Sequence, residues 1–302
     1  MTLEAFGTTA SVWAPALLAA FGLCNLFWKR SRLQGTTLIA PWSWAVVSLS
    51  ALGATETLFG LTITSTPESW IVPLRFAAAM STFCPTMALL GAKRPQDRAW
   101  QFIVLSLWVI LSLPSCEWLL FGGIQEIHPA RFWFLAILMS VGALNSLATR
   151  FWTSGLLFCG GQVALLTPFL PATNDSLPGS EGPLLGLSLI VTAWSLRAMG
   201  LPGPRLAKHP LDRAWLDFRD AFGVVWGLRI AERINASAAS YGWPATLAWT
   251  GFIANEGQST TDVPPVLEES FRNLLRRFVS PAWIDARMGE PAVDDLAKAS
   301  TE

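Results

Sequence analysis

The run PWSWAVVSLSALGATETLFGLTI, residues 41–63, contains one charged side chain, Glu56, and is otherwise apolar or hydroxylated. Crossing a hydrocarbon layer of about 30 Å takes roughly 20 such residues in a helix, because lipid offers the backbone no hydrogen-bond partners. Six more windows meet the same test: Ser11–Trp28 before it, and Trp70–Gly91, Ala99–Phe121, Phe132–Thr149, Phe151–Leu170 and Pro183–Met199 after it. The composition agrees, with 52% hydrophobic and 14% charged residues against roughly 25% charged in an average soluble domain. The expected fold is all-α: a polytopic membrane helical bundle of about seven transmembrane helices with a small helical cytoplasmic C-terminal tail.

Charge is segregated along the chain. Residues 1–200 carry 18 of the charged side chains and residues 201–302 carry 24. The shift falls at Gly200-Leu201-Pro202-Gly203-Pro204, which cannot continue a helix and reads as a hinge. The expected domains are therefore 1–200, the membrane part with its N-terminus outside, and 201–302, a cytoplasmic, mostly helical tail that becomes disordered from about Gly289. The tail has 11 basic and 13 acidic residues, so it is no polybasic arm for nucleic acid.

Lys and Arg gather in cytoplasmic loops, and here they alternate with the windows. Lys29, Arg30 and Arg32 follow the first, Lys93, Arg94 and Arg98 the third, Arg150 the fifth, and Arg197, Arg205 and Lys208 the seventh. The intervening loops carry Glu68, then Glu126 and His128 before Arg131, then Asp175 and Glu181. An odd number of crossings with the tail inside satisfies this alternation. No basic residue precedes the first window, so it reads as an uncleaved anchor in a plasma or bacterial inner membrane. Trp28, Trp42, Trp44, Trp70, Trp100, Trp118, Trp133 and Trp152 fall near window ends, where indoles favour the headgroup level.

Ions inside a span are costly, and each needs a partner or a purpose. Glu56, Arg75 and Glu117 lie roughly 10, 8 and 6 Å from the outer surface at the helical rise, one layer in which Arg75 could sit between two acids. Such a layer could take up a proton or bind a cation; equally, an ion pair could fix helix register, or the ends could snorkel to headgroups. Pro85 and Pro114 are expected to kink their helices, freeing the carbonyls of Ser81 and Ile110. Asn145 and Gln162 are expected to bond between the fifth and sixth helices, with Gly155, Gly160 and Gly161 allowing close approach.

The four cysteines, Cys24, Cys84, Cys116 and Cys159, all lie within windows, which argues for packing and against a disulfide framework. Both histidines, His128 and His209, lie outside the windows, which excludes bis-histidine haem in the bundle. No spacing of His, Cys or carboxylates fits a metal, so neither metal nor cofactor is expected. No lysine falls within a window, which excludes a retinal Schiff base; no nucleotide-binding or hydrolase motif occurs either.

In the tail, Leu211, Trp215, Phe218, Phe222, Trp226, Ile230 and Ile234 form a stripe over about Pro210–Ala239, weakened by Gly223 and Gly227. It could pack on another helix, or lie on the inner membrane face with Arg213, Arg219, Arg229 and Arg233 toward headgroups. A second helix is expected over Pro265–Val279, with Leu267, Phe271, Leu274, Leu275 and Phe278 as a docking face. Its acids Glu268 and Glu269 and its bases Arg276 and Arg277 suit the helix dipole. Tyr241–Ile253, between them, reads as an aromatic run docked on the bundle or bilayer. Two helices make a thin core, so a protein partner or the membrane is expected to supply the rest.

These residues point to a multi-pass integral membrane protein without enzymatic activity, a receptor-like, scaffold or assembly subunit in the lipid bilayer that docks a protein partner through its tail. The alternative is a small transporter or proton-coupled carrier using the Glu56, Arg75 and Glu117 layer. No nucleic acid is expected, and the ligand is not legible.

Overall fold

A computed structural model describes residues 3–62, 70–122, 127–170, 181–203, 207, 209–254 and 264–289, with side chains from Val12 onward. The first structural unit falls within Met1–Gln34 and Leu38–Pro204, and the second combines Gly35–Thr37 with residues 205–302. The chain is mostly helical, as its composition demands. Each apolar window of the sequence becomes helix: α1 (Leu3–Trp28), α2 (Ile39–Thr62), α3 (Ile71–Ser81) with α4 (Cys84–Leu90), α5 (Asp97–Phe121), α6 (Pro129–Leu147), α7 (Trp152–Leu166) and α8 (Glu181–Met199). Five stretches are long and apolar enough to cross a membrane: Ile39–Thr62, Ile71–Leu90, Asp97–Phe121, Pro129–Leu147 and Glu181–Met199.

Within this unit α7 packs most extensively on α8, α1 lies against both α2 and α8, and α5 lies against α3. Two glycines set the α7–α8 crossing: a Cβ on Gly161 would come within 2.9 Å of the Gly186 carbonyl, and one on Gly186 within 2.8 Å of the Gly161 carbonyl. Small residues of this kind let backbones touch where no hydrophobic effect drives helices together. Gly155 instead faces Ser146 of α6. The outer faces of α5 and α6 expose Phe102, Leu120, Phe121, Trp133 and Ile137, at 62% or more of each side chain. Water would penalise so large an apolar surface, whereas acyl chains would solvate it.

The third window is interrupted, not merely kinked. Pro85 near the start of α4 supplies no N–H, and α3 ends four residues before it at Ser81. The chain tightens through Thr82 N–H to Ala79 O at 3.1 Å and Phe83 N–H to Met80 O at 3.2 Å. Gln162 of α7 donates to Thr82 O at 3.2 Å, so its amide serves this break and not the fifth-to-sixth helix bond expected of it. Pro114 stays inside a continuous α5, whose next residue, Ser115, donates to Pro73 O at 2.8 Å.

The second unit begins with α9 (Pro210–Tyr241), opened by His209, whose Nδ1 accepts from Leu211 N–H at 3.3 Å. It ends at Gly242 in the left-handed region. The expected aromatic run is a hairpin: β1 (Ala245–Ala248) pairs antiparallel with β2 (Gly251–Ala254) in the register Ala245↔Ala254 to Ala248↔Gly251. The Asn235 side chain acts as a further strand residue, donating to Leu247 O at 3.0 Å and accepting from Leu247 N–H at 2.7 Å. Then come α10 (Pro265–Leu275) and α11 (Pro281–Met288). The helix expected to reach Val279 stops at Leu275, because Val279 bridges to Thr36.

All seven residues of the α9 stripe are buried. Phe218, Phe222 and Trp226 pack on the ring of Phe278 at 4.9 to 5.4 Å, and Phe252 of β2 packs on Phe271 of α10 at 5.4 Å. The expected docking face is therefore corrected: Leu267, Phe271, Leu275 and Phe278 are interior residues of this unit, and Leu274 is partly buried beside them. The disorder expected from about Gly289 concerns residues 290–302, which lie outside the described residues, as do Glu68, Glu126, Asp175, Pro204, Arg205 and Lys208.

Gly223 divides α9 with φ 84° and ψ −173°, a conformation open to glycine because it lacks Cβ. Gly223→Ala is expected to cost about 1–3 kcal/mol, the usual strain of that region. Melting of the full chain in detergent, followed by tryptophan fluorescence, reads this directly; an unchanged midpoint would mean that α9 straightens without penalty.

Candidate functional site

Glu56 is on the second half of α2 and Arg75 is the fifth residue of α3. Arg75 Nε donates to Glu56 Oε1 at 2.8 Å and Nη2 donates to Oε2 at 2.9 Å, a two-pronged fork that engages both carboxylate oxygens. The side chains are 8% and 6% exposed. Phe59, one turn after Glu56 on the same face of α2, places its ring centroid 3.9 Å from the guanidinium carbon. α2 thus offers Arg75 both an anion and a π face, and α5 fixes the α3 backbone through Ser115 to Pro73 O and through Trp108 Nε1 to Ala77 O at 3.0 Å.

Glu117 stands apart from this pair. It is exposed on α5 and makes no ion pair among the described residues. The sequence places three ions at one depth; the fold brings two of them together. Pro114 and Pro85 are both buried, and neither carries an ionisable neighbour into the pair. Among the described residues no group of three or more His, Cys, Asp or Glu converges.

Burying two charges costs several kcal/mol per ion, and their attraction offsets this only when the geometry is good and the remaining hydrogen-bonding capacity is met. The Glu56–Arg75 fork meets that condition. With both carboxylate oxygens engaged by one guanidinium, the closed pair works as a brace between α2 and α3.

The second unit holds another buried ion pair, whose arginine is one of the four that the membrane-surface alternative for α9 turns toward headgroups. Arg219 is fully buried, with Nε at 3.1 Å and Nη2 at 2.8 Å from Asp220 Oδ1. Its Nη1 donates to Trp249 O at 2.6 Å, the carbonyl that also accepts from Trp215 Nε1 at 3.3 Å. Arg219 follows Trp215 by four residues and precedes Phe222 by three, so its place on the buried stripe was available as a signal. Arg272 makes a third junction, reaching Glu268 at 2.8 Å, Asp285 of α11 at 2.7 Å and Gly289 O at 2.7 Å.

No family model matches the chain, and no curated protein or solved structure matches it either.

Proposed function

We propose that the chain crosses a membrane seven times, N-terminus outside, and carries a folded cytoplasmic domain with which it serves as a non-enzymatic receptor-like, scaffold or assembly subunit that docks a protein partner. The observation that carries this is the share of the first loop in the second unit. Thr37 N–H donates to Phe278 O at 2.9 Å, Ser280 N–H donates to Gly35 O at 2.6 Å, and Thr36 bridges Val279. A loop and a tail joined by backbone hydrogen bonds share one side of the membrane, so an even number of crossings separates Leu38 from Pro204. The windows supply six: α2, α3 with α4, α5, α6, α7 and α8, with α1 making seven.

α7 is the shortest, but the 3-10 turn Thr167–Phe169 extends it, and Trp152–Phe169 then rises about 28 Å, close to the hydrocarbon thickness. The Lys and Arg of the alternate loops favour the inside for the tail. Because the apolar face of α10 is spent within the second unit, a partner would read that unit's outer surface. The carrier alternative requires Arg75 to be shared by two acids, and Glu117 faces away from it.

Gentle detergent purification of the full chain and of a chain ending at Leu201 tests the docking. A component that travels with the full chain and is lost from the shortened one supports it. Proton or solute flux in proteoliposomes that disappears on Glu56→Gln would replace it with the carrier.

A further inference from the structure

The C-terminal end of α10 is where the second unit takes up the first loop. Three consecutive residues there engage Gly35–Thr37: Phe278 O accepts from Thr37 N–H at 2.9 Å, Val279 bridges Thr36, and Ser280 N–H donates to Gly35 O at 2.6 Å. Thr37 is two residues from Ile39, the first residue of α2, and α2 is long and apolar enough to cross a membrane. Two fully extended residues reach at most about 7 Å. Chain length alone therefore keeps this end of α10 close to the point where α2 enters the bilayer, and a headgroup layer is itself roughly 5–7 Å deep.

Arg276 and Arg277 stand at that end, and both are exposed. Arg276 Nη1 donates to a neutral partner, Asn273 Oδ1, at 3.2 Å, and neither arginine makes an ion pair among the described residues. The acids that flank them in sequence are taken up elsewhere: Glu268 and Asp285 both bond the buried Arg272, at 2.8 and 2.7 Å. Glu269 is exposed, but it lies about 10 Å back along the helix from Arg276. From residue 273 to residue 284 the chain carries these two bases and no acid. The end of α10 thus presents net positive charge beside the membrane entry of α2.

We propose that Arg276 and Arg277 form a docking surface of the second unit for the anionic headgroups of the bilayer. The surface rests on the membrane crossing proposed above for α2, but on neither the side that the tail takes nor a protein partner. Guanidinium forks match phosphate oxygens, and basic residues beside a membrane are drawn to anionic lipid over about one Debye length.

The test places the full chain in nanodiscs of phosphatidylcholine, with and without phosphatidylglycerol, and follows amide hydrogen exchange. Both leaflets of such a disc have the same lipid, so the result does not depend on the side of the tail. The amides of Arg276 to Ser280 are all hydrogen-bonded, and their exchange reads the opening of this end. Phosphatidylglycerol is expected to slow that exchange by about ten-fold and to leave the Ala245–Ala254 hairpin as it is. Salt at about 1 M, where the Debye length is about 3 Å, should abolish the difference between the lipids. Arg276→Gln/Arg277→Gln should lose the difference, whereas Arg213→Gln/Arg233→Gln, the same loss of charge from exposed positions on α9, should keep it.

Positive charge in the last turn also suits the helix dipole. If the two arginines serve only that, their substitution speeds exchange equally in both lipids, which overturns the proposal. Loss of the difference in both double variants would spread the effect over the whole unit and overturn it too, as would a difference that survives salt. The salt titration of the parent decides the matter if the Arg276→Gln/Arg277→Gln chain does not fold. A chain that enters the disc and exchanges alike in the two lipids overturns the docking surface alone; a chain that stays out of the disc overturns the membrane reading as well.

Discussion

Arg75→Ala should lower the stability of the membrane unit by about 3–5 kcal/mol, because it strands a buried carboxylate whose two oxygens were engaged by a single guanidinium. The expected signs are a lower melting midpoint in detergent and faster loss of monodisperse protein. Removing both charges, as Glu56→Gln with Arg75→Met, should restore much of that loss, since no unpaired ion remains and Met still fills the space beside Phe59. A double variant as unstable as the single one would mean that the pair contributes through shape and not through charge. Glu117→Gln should change the midpoint little, because that side chain is exposed and makes no ion pair among the described residues.

Arg219→Ala should have a comparable effect in the second unit, again about 3–5 kcal/mol, because Asp220 would be left as a buried ion without its guanidinium. The loss would also remove the 2.6 Å bond to Trp249 O, so that the hairpin turn loses its shortest tie to α9 and keeps the 3.3 Å bond from Trp215 Nε1. Limited proteolysis of the full chain should then cut within Ala245–Ala254 at protease levels that spare the parent. Arg219→Lys should recover only part, since an ammonium cannot hold Asp220 and the Trp249 carbonyl with the same fork. A hairpin as resistant in Arg219→Ala as in the parent would remove Arg219 from its role as the tie.

What the sequence makes legible and what it hides follow from the same helical geometry. Counting residues from a span end gives depth, and depth alone puts Glu56 level with Arg75; a short connection between α2 and α3 then brings the two side by side. Depth says nothing about direction around the axis. Leu111, Ser112 and Ser115 of α5 are buried, and Ser115 reaches Pro73. Two residues further on, Glu117 is turned by about 200° at 3.6 residues per turn, away from Arg75. That pattern of buried positions was present in the sequence, but only the partner helix shows which face it selects.

The tail was hidden for a different reason. Its apolar stripes are plain, and so is the need to cover them, yet the cover is assembled from pieces distant in sequence. Four-residue strands fall below what alternation can identify, and β1 is fixed by Asn235, twelve positions before Leu247. α11 does carry a local sign: Ser280 followed by Pro281, a cap and a first-turn proline, with Ser280 Oγ accepting from Trp283 N–H at 3.3 Å. The three residues Gly35–Thr37 carry no pattern at all. They join the second unit through backbone bonds, which any sequence can make.

The proposed topology, an odd number of crossings with the tail inside the cell, takes from those backbone bonds only the even count between the first loop and the tail, and its direction from the Lys and Arg of the loops. Reporter fusions test it most directly, one ahead of Leu3 and one after residue 302 of the full chain, each scored for activity in the exterior and in the cytoplasm. The expected result is an N-terminal reporter active only outside and a C-terminal reporter active only inside. Both reporters active in the same compartment would contradict the odd number of crossings, and with it the seven-span topology.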